Sequence, residues 1–376
     1  MIKEWKVKIM NFIDLGLSKE LATILKNNGI NNPTEIQQLS IPKIKDGLDV
    51  IAEAQTGTGK TLAFLLPILE NINININTTQ CLILTPTREL AIQITEEAQK
   101  LCESKNINIL AAYGGKDIGS QLKKLKNNVH IVIATPGRLL DHLKRNTINL
   151  KKISTFVLDE ADQMLLMGFR NEVDAIMKET NNKKQILCFS ATMNSSVKKL
   201  AYRYMDNPDL ISVKKESVTL STINQELVET TDRWKLDSLC KVLDEDNPFM
   251  AIIFCRTKRR ADNLENALHY RGYNCKKIHS DIPQNKRERI MREFRDAKIQ
   301  YLIATDVAAR GIDVTGVSNI YNYDIPETPE SYIHRIGRTG RAGENGYTCL
   351  FVDPKDSRLV SEIESVIEFK ITRRTI

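Results

Sequence analysis

The sequence predicts an α/β chain built on two mostly parallel sheets, each covered by helices on both faces. Short, wholly apolar runs alternate with helical patterns along all 376 residues. Strands buried on both faces read this way, whereas half-exposed strands alternate apolar with polar residues. The runs also fall into two sets, separated by the polar, β-rich stretch from Ser212 to Asn224. The expected division is a domain at 1–212, a linker at 213–223 and a second domain at 224–376, each of ordinary domain size.

In chain order, the first set of strand candidates is Asp49 to Ala52, Cys81 to Leu84, His130 to Ala134, Phe156 to Leu158 and Gln185 to Phe189. A helix is expected over Arg88 to Cys102. The second set is Ala251 to Cys255, Tyr301 to Ala304, Asn319 to Tyr323 and Thr348 to Val352, with a helix over Ala261 to Arg271. Asn71 to Asn77 alternates strictly between Asn and Ile, the period of a strand. Asn is a poor strand former, so an exposed loop is the better reading.

Hydrophobic content of 41% and charged content of 27% describe a soluble globular protein. The net charge is +7; from Lys214 onward 27 basic residues face 25 acidic ones, so the excess is mild and spread over both halves. It permits an anionic partner and equally suits a solvated surface. None of the seven cysteines forms a Cys-x-x-Cys pair and several sit in apolar runs. Buried thiols in a reducing compartment are expected, not zinc or disulfides. The N-terminus lacks the apolar core of a signal peptide, and the greasiest segment, Ala63 to Leu69, is too short to span a bilayer. A cytoplasmic, membrane-free, monomeric protein is expected.

Two motifs carry chemistry. The first is Ala54-Gln55-Thr56-Gly57-Thr58-Gly59-Lys60-Thr61, between a strand candidate and a helix. The general pattern opens on Gly, where this chain has Ala54. Its glycines let backbone N–H groups approach phosphates, and the helix N-terminus adds a positive dipole end. Lys60 suits the β- and γ-phosphates, and the Thr61 hydroxyl suits Mg²⁺. The second is Asp159-Glu160-Ala161-Asp162, after the buried run Phe156 to Leu158. Acids there are costly unless something cationic meets them. Asp159 is read as a magnesium partner and Glu160 as the residue that activates water; the competing reading of Glu160 is a helix-capping acid. Together the motifs imply an ATPase using ATP and Mg²⁺. A third cluster, His334-Arg335-Ile336-Gly337-Arg338-Thr339-Gly340-Arg341, has three arginines among glycines. In an ATPase they read as fingers that neutralise the γ-phosphate. In a separate domain they would reach ATP only on domain closure.

At this point the motifs, in their order, resemble the DEAD-box ATP-dependent RNA helicases, over nearly the whole chain. The resemblance implies two tandem RecA-like domains. It implies RNA-stimulated ATP hydrolysis coupled to closure and local unwinding of duplexes. Pro33-Thr34-Glu35-Ile36-Gln37 after Gly29, with Phe12 upstream, is similar to the family's adenine-reading Q motif. Phe12 would then stack on the base, Thr34 would line the nucleotide and Gln37 would bond the base edge; alternatively Phe12 staples the helix that starts after Ser18. Pro86-Thr87-Arg88, Gly114-Gly115 and Thr135-Pro136-Gly137-Arg138 resemble RNA-backbone motifs, offering groups suited to phosphate oxygens.

Ser190-Ala191-Thr192 resembles the motif that couples hydrolysis to unwinding, with Thr192 directed towards Asp162 and His334. In the second domain the resemblance assigns Arg256, Thr257, Gln284, Arg287 and Thr305 to RNA. Gly311 would lie near the γ-phosphate, Asp313 would hold the ribose, and Arg310 would bridge the domains. It assigns Arg338 and Arg341 to the γ-phosphate. Leu166 stands where the family often has Asp. Two other functions use much of this inventory: an ATP-gated RNA clamp that seldom unwinds, and a DNA-translocating helicase. The spelling of the acidic motif disfavours the second.

Overall fold

The computed structural model describes residues 10–54, 57–103, 105–115, 119, 121, 128–213, 223–309, 314, 316–340 and 346–376. The chain divides into two compact units, Met1–Lys215 and Glu216–Ile376.

The first unit holds β1 (Val50–Glu53), β2 (Cys81–Leu84), β3 (Ile109–Ala112), β4 (Ile131–Ala134), β5 (Thr155–Leu158), β6 (Gln185–Ser190) and β7 (Asp209–Ser212). They form one parallel sheet in the order β3-β4-β2-β5-β6-β1-β7. Successive residues point to opposite faces, and both faces are covered. Cys81, Ile83, Ile131, Ile133 and Val157 join one apolar core; Leu82, Leu84, Val132, Ala134, Phe156 and Leu158 join the other. This is why the central strands are apolar at every position.

The second unit holds β8 (Ile223–Glu229), β9 (Ala251–Cys255), β10 (Cys275–Ile278), β11 (Tyr301–Thr305), β12 (Asn319–Asn322), β13 (Gly346–Val352) and β14 (Thr372–Arg373). Their order is β10-β11-β9-β12-β13-β8-β14, again parallel throughout. Counted from its own first strand, each unit has the same strand order.

The apolar-run criterion found the strands buried on both faces and passed over the rest. β7 is half exposed, β10 carries Lys276 and Lys277 at its centre, and β14 is two exposed residues at an edge. β3 alternates half-buried with buried residues, and β8 carries the consecutive polar residues Asn224, Gln225 and Glu226 between Ile223 and Leu227. The Asn71 to Asn77 run makes no strand. A helix ends at Asn71, and the Gln80 side chain holds the following loop, accepting Asn73 N–H at 3.0 Å and donating to Asn73 O at 2.8 Å. All seven cysteines are buried thiols. No helix among the described residues is long and apolar enough to cross a membrane.

Because every strand runs the same way, all strand C-termini of a unit lie on one edge, where ligands of open α/β sheets bind. Along that edge of the first unit come, in spatial order, Gly114-Gly115 after β3, Thr135 to Arg138 after β4, Pro86 to Arg88 after β2, Asp159 to Asp162 after β5, Ser190 to Thr192 after β6, and the glycine-rich loop after β1. Segments scattered over about 140 positions of sequence become one row.

Candidate active site

The loop after β1 leads into the helix Lys60–Asn71, whose N-cap, Gly59, has φ +92°. Gly59 cannot be replaced at low cost. A Cβ there would meet Gln37 Nε2 at 2.4 Å and Thr34 Oγ1 at 3.0 Å. That crowding is functional in form: Gln37 accepts Thr34 N–H at 2.9 Å and donates to Gly59 O at 3.0 Å. Gln37 is 2% exposed, so its amide braces the loop from behind. Phe12 is 3% exposed and packs into the same apolar core as Leu15, Leu17, Leu21 and Leu25. This packing is what the anchoring alternative expects, and the stacking role remains a reading from the resemblance.

Lys60 is buried, and its Nζ has no hydrogen-bond partner. A buried ammonium without a partner is costly, and a polyanion is what would satisfy it. Thr61, the next residue, is half-buried. Across the sheet, Asp159 is 3% exposed and its carboxyl pKa is raised to about 7. Burial is the largest cause, the Glu160 carboxylate adds to it, and Lys60 opposes both. Asp159 Oδ1 accepts the N–H of Glu160 at 2.9 Å. Glu160 has φ +50°, a left-handed conformation that costs a non-glycine residue of order 1–3 kcal/mol and clusters at functional sites. These features fit a magnesium–triphosphate group: an unpartnered cation, a backbone cradle a methyl would fill, and a buried carboxyl that needs positive charge to ionise.

From Asp162 a hydrogen-bonded chain crosses to β6. Asp162 Oδ2 accepts from Thr192 Oγ1 at 3.1 Å, Asp162 N–H donates to Ser190 Oγ at 3.3 Å, and Ser190 Oγ donates to Thr192 O at 2.7 Å. The structure thus joins three of the residues assigned to coupling.

At the other end of the edge, Thr87 caps the helix Arg88–Leu101, accepting Leu90 N–H at 3.3 Å. Gly114 makes room for Arg88: a Cβ there would stand 3.1 Å from Arg88 Nη2. Pro86, Thr87, Thr135 and Pro136 are buried. Gly115 and Gly137 are exposed, and Arg88 and Arg138 are half-buried, so these four carry the accessible part of the row.

In the second unit Arg256 and Thr257 are exposed after β9, and Thr257 caps the helix Lys258–Tyr270. Thr305, Gln284 and Arg287 are buried, Gln284 donating to Glu288 Oε1 at 3.3 Å. Arg335 departs from the finger reading of its cluster. It is 2% exposed and grips Asp306 through two bonds of 2.6 and 2.7 Å. It also bonds Asn322 Oδ1 and Asp324 O and lies over the Phe254 ring. It is a brace between β11, β12 and the helix Pro329–Ile336. Arg338 is 6% exposed, with Nε donating to His334 O at 3.3 Å, and His334 is half-buried on that helix. Gln55, Thr56, Arg310, Gly311, Asp313 and Arg341 lie outside the described residues.

Residue-type reasoning passed over Glu53, at the end of β1, and Asp324, just past β12. Both are acids terminating apolar strands, the same signal that singled out Asp159.

The DEAD/DEAH box helicase family model matches residues 34–200, and the helicase conserved C-terminal domain model matches 234–343. The DEAD-box ATP-dependent RNA helicase CshA of Bacillus licheniformis is 46% identical over 364 residues, covering 97% of this chain and 75% of the relative. The ATP-dependent RNA helicase CshA of Limosilactobacillus reuteri is 45% identical over 362 residues, covering 96% and 73%. Among solved structures, S. cerevisiae Dbp5 bound to RNA and ADP BeF3 matches with a TM-score of 0.89 at 32% identity, covering 96% of this chain and 95% of that one. Mss116p bound to ssRNA and AMP-PNP matches with a TM-score of 0.88 at 31% identity, covering 100% and 82%. The fold is that of tandem RecA-like domains. The chain belongs to the DEAD-box ATP-dependent RNA helicases, a family that hydrolyses ATP.

Two outcomes follow from this geometry. Gly59→Ala is expected to weaken ATP binding about tenfold or more, since strain of 1–3 kcal/mol lands on the loop; titration with a fluorescent ATP analogue measures it, and parental affinity would refute the bracing role. The raised pKa of Asp159 means that the folded chain keeps a proton the unfolded chain has lost. Stability from this group therefore falls as pH rises from about 3.8 to about 7, and the penalty is complete above that window. Without nucleotide or divalent metal, Asp159→Asn should be more stable than the parent at pH 8, with the gap closing towards pH 5. Urea denaturation at the two pH values tests this; a pH-independent difference would contradict it.

Proposed function

We propose that this chain separates or remodels short RNA duplexes by closing its two units on ATP and RNA, without reading base sequence. The observation that carries the reading is the single sheet edge on which an unpartnered Lys60, the acids after β5 and the backbone-type motifs after β2, β3 and β4 stand in one row. Thr34, Gln37 and residues 55–61 would hold the nucleotide as a Q motif and phosphate loop, with Gln37 linking base recognition to loop position. Thr61 and Asp159 would hold Mg²⁺, which when bound supplies charge neutralisation at the phosphates. Glu160 would take the proton of the attacking water, its strained backbone fixing the carboxylate's direction. Arg338 and Arg341, from the second unit, would stabilise charge on the γ-phosphate, with Gly311 and Asp313 completing the nucleotide site.

RNA would lie along Arg88, Gly115, Gly137 and Arg138 in one unit and Arg256 and Thr257 in the other. The buried Pro86, Thr87, Thr135, Pro136, Gln284, Arg287 and Thr305 would shape those loops. Contacts of this kind suit phosphates and 2′-hydroxyls. Asp162, Ser190 and Thr192 would pass the state of the ATP site on, with Arg310 and His334 receiving it. The division at 1–212, 213–223 and 224–376 completes the proposal, as does a cytoplasmic monomer.

Glu160→Gln keeps the shape of the site and removes the base. It should bind ATP and RNA with parental affinity while RNA-stimulated turnover falls about a hundredfold or more. The parent should be stimulated by RNA and not by DNA of the same sequence. Parental turnover in the variant, or equal stimulation by DNA, would refute the corresponding part of the proposal.

A further inference from the structure

Strand β1 ends on Glu53, the last strand residue before the glycine-rich loop. Its register partners are Ser190 on β6 and Ser212 on β7. Both carboxylate oxygens are used: Oε1 accepts Met193 N–H at 3.0 Å, and Oε2 accepts Ser212 Oγ–H at 3.0 Å. The backbone repeats both links. Ala54 N–H donates to Ser190 O at 3.0 Å, and Val213 N–H donates to Glu53 O at 3.0 Å. One residue therefore joins three segments: the entry to the phosphate loop, the residue after Ser190-Ala191-Thr192, and the end of the first unit's last strand. Beyond Val213 the chain runs on through 214–222 towards β8.

We propose that Glu53 is a positioning residue that ties the phosphate loop to the Ser190–Thr192 segment and to the start of the interdomain connection, so that all three shift together during the ATP cycle. Hydrogen bonds to a carboxylate are shorter and stronger than neutral ones, and a two-oxygen acceptor fixes both partners at once. Displacing β1's end by a few tenths of an ångström would then drag Met193 on one side and Ser212 on the other. The side chain acts through these neighbours and needs no contact with nucleotide or RNA. Glutamine can reproduce the arrangement: its Oε1 accepts Met193 N–H and its Nε2 donates to Ser212 Oγ. Alanine leaves Met193 N–H and the Ser212 hydroxyl without this acceptor.

The assignment rests on the coupling role proposed for Ser190 and Thr192, so the test includes that role. On the full chain, RNA duplexes separated per ATP hydrolysed are measured alongside RNA-stimulated kcat and thermal midpoint, for the parent, Glu53→Ala, Glu53→Gln, Ser212→Ala and Thr192→Ala. Glu53→Ala is expected to lower the ratio about fivefold with kcat within about twofold of the parent, Ser212→Ala to lower it less, and Glu53→Gln to restore it. A merely structural role would lower the thermal midpoint and leave the ratio unchanged. A parental ratio in Glu53→Ala beside a lowered one in Thr192→Ala overturns the Glu53 proposal and leaves the coupling role standing. A parental ratio in Thr192→Ala overturns the coupling role itself. Glu53→Gln as impaired as Glu53→Ala overturns the hydrogen-bonding basis. Should Glu53→Ala fail to fold, a parental ratio in Ser212→Ala is enough to overturn the link to the connection.

Discussion

A buried ammonium without a hydrogen-bond partner is the constraint on which the first unit depends. Burying Lys60 uncompensated is unfavourable, and Asp159, the nearby acid, is itself pushed towards its neutral form by burial and by Glu160. On the proposed reading a ligand would bring opposite charge to both: phosphate to Lys60, a divalent cation to Asp159. The site thus carries an electrostatic deficit of the kind that such a ligand would relieve. Such a deficit requires stiff surroundings, or the loop would collapse onto it. The stiffness comes from Gln37 behind Gly59, from the positive-φ glycine that alone admits that contact, and from the two strands flanking β1.

The parallel sheet converts this local deficit into something the rest of the unit can sense. The end of β1 sits between β6 and β7, and β6 neighbours β5. A change at the proposed phosphate loop would therefore meet, one strand at a time, the Ser190–Thr192 segment and the Asp159–Asp162 segment, which already share hydrogen bonds. The row of residues proposed for the RNA backbone, after β2, β4 and β3, continues the same edge. With the proposed nucleotide and RNA residues on one edge, coupling between them would need no long pathway, only neighbouring strand ends.

The sequence made the central strands legible because they are apolar on both faces, and it made the phosphate loop and the acids legible because charges and glycines stand at strand ends where a plain core would not place them. It was silent where position depends on the partner strand. Nothing in Cys275-Lys276-Lys277-Ile278 says that a strand will pair there, and nothing local says whether Arg335 points to solvent or grips Asp306 29 residues away. Phe12 shows the same limit: an aromatic residue before a helix serves equally as an anchor or as a stacking surface, and nothing local in the sequence says that its ring is 3% exposed.

The second unit shows what the deficit is for by lacking it. Its strand order repeats that of the first, and a lysine and an aspartate recur at comparable places. Lys235 opens the helix after β8 as Lys60 opens the helix after β1, and both are buried. Asp324 follows β12 as Asp159 follows β5, each donating its backbone N–H to the neighbouring strand, at Phe254 O and Leu84 O. Here, however, the protein supplies the missing charges. Asp324 is met by Arg260 at 2.7 Å and by the N–H of Arg256 at 2.9 Å. Lys235 faces Asp232 at 3.8 Å and the Tyr323 ring at 6.0 Å. With internal partners the same lysine–aspartate pair becomes a brace, holding the exposed Arg256 and Thr257 in place. The two units thus use one architecture with different partners: in the second unit Arg260 meets Asp324 and Asp232 faces Lys235, whereas in the first a ligand would, on the proposed reading, complete the pair.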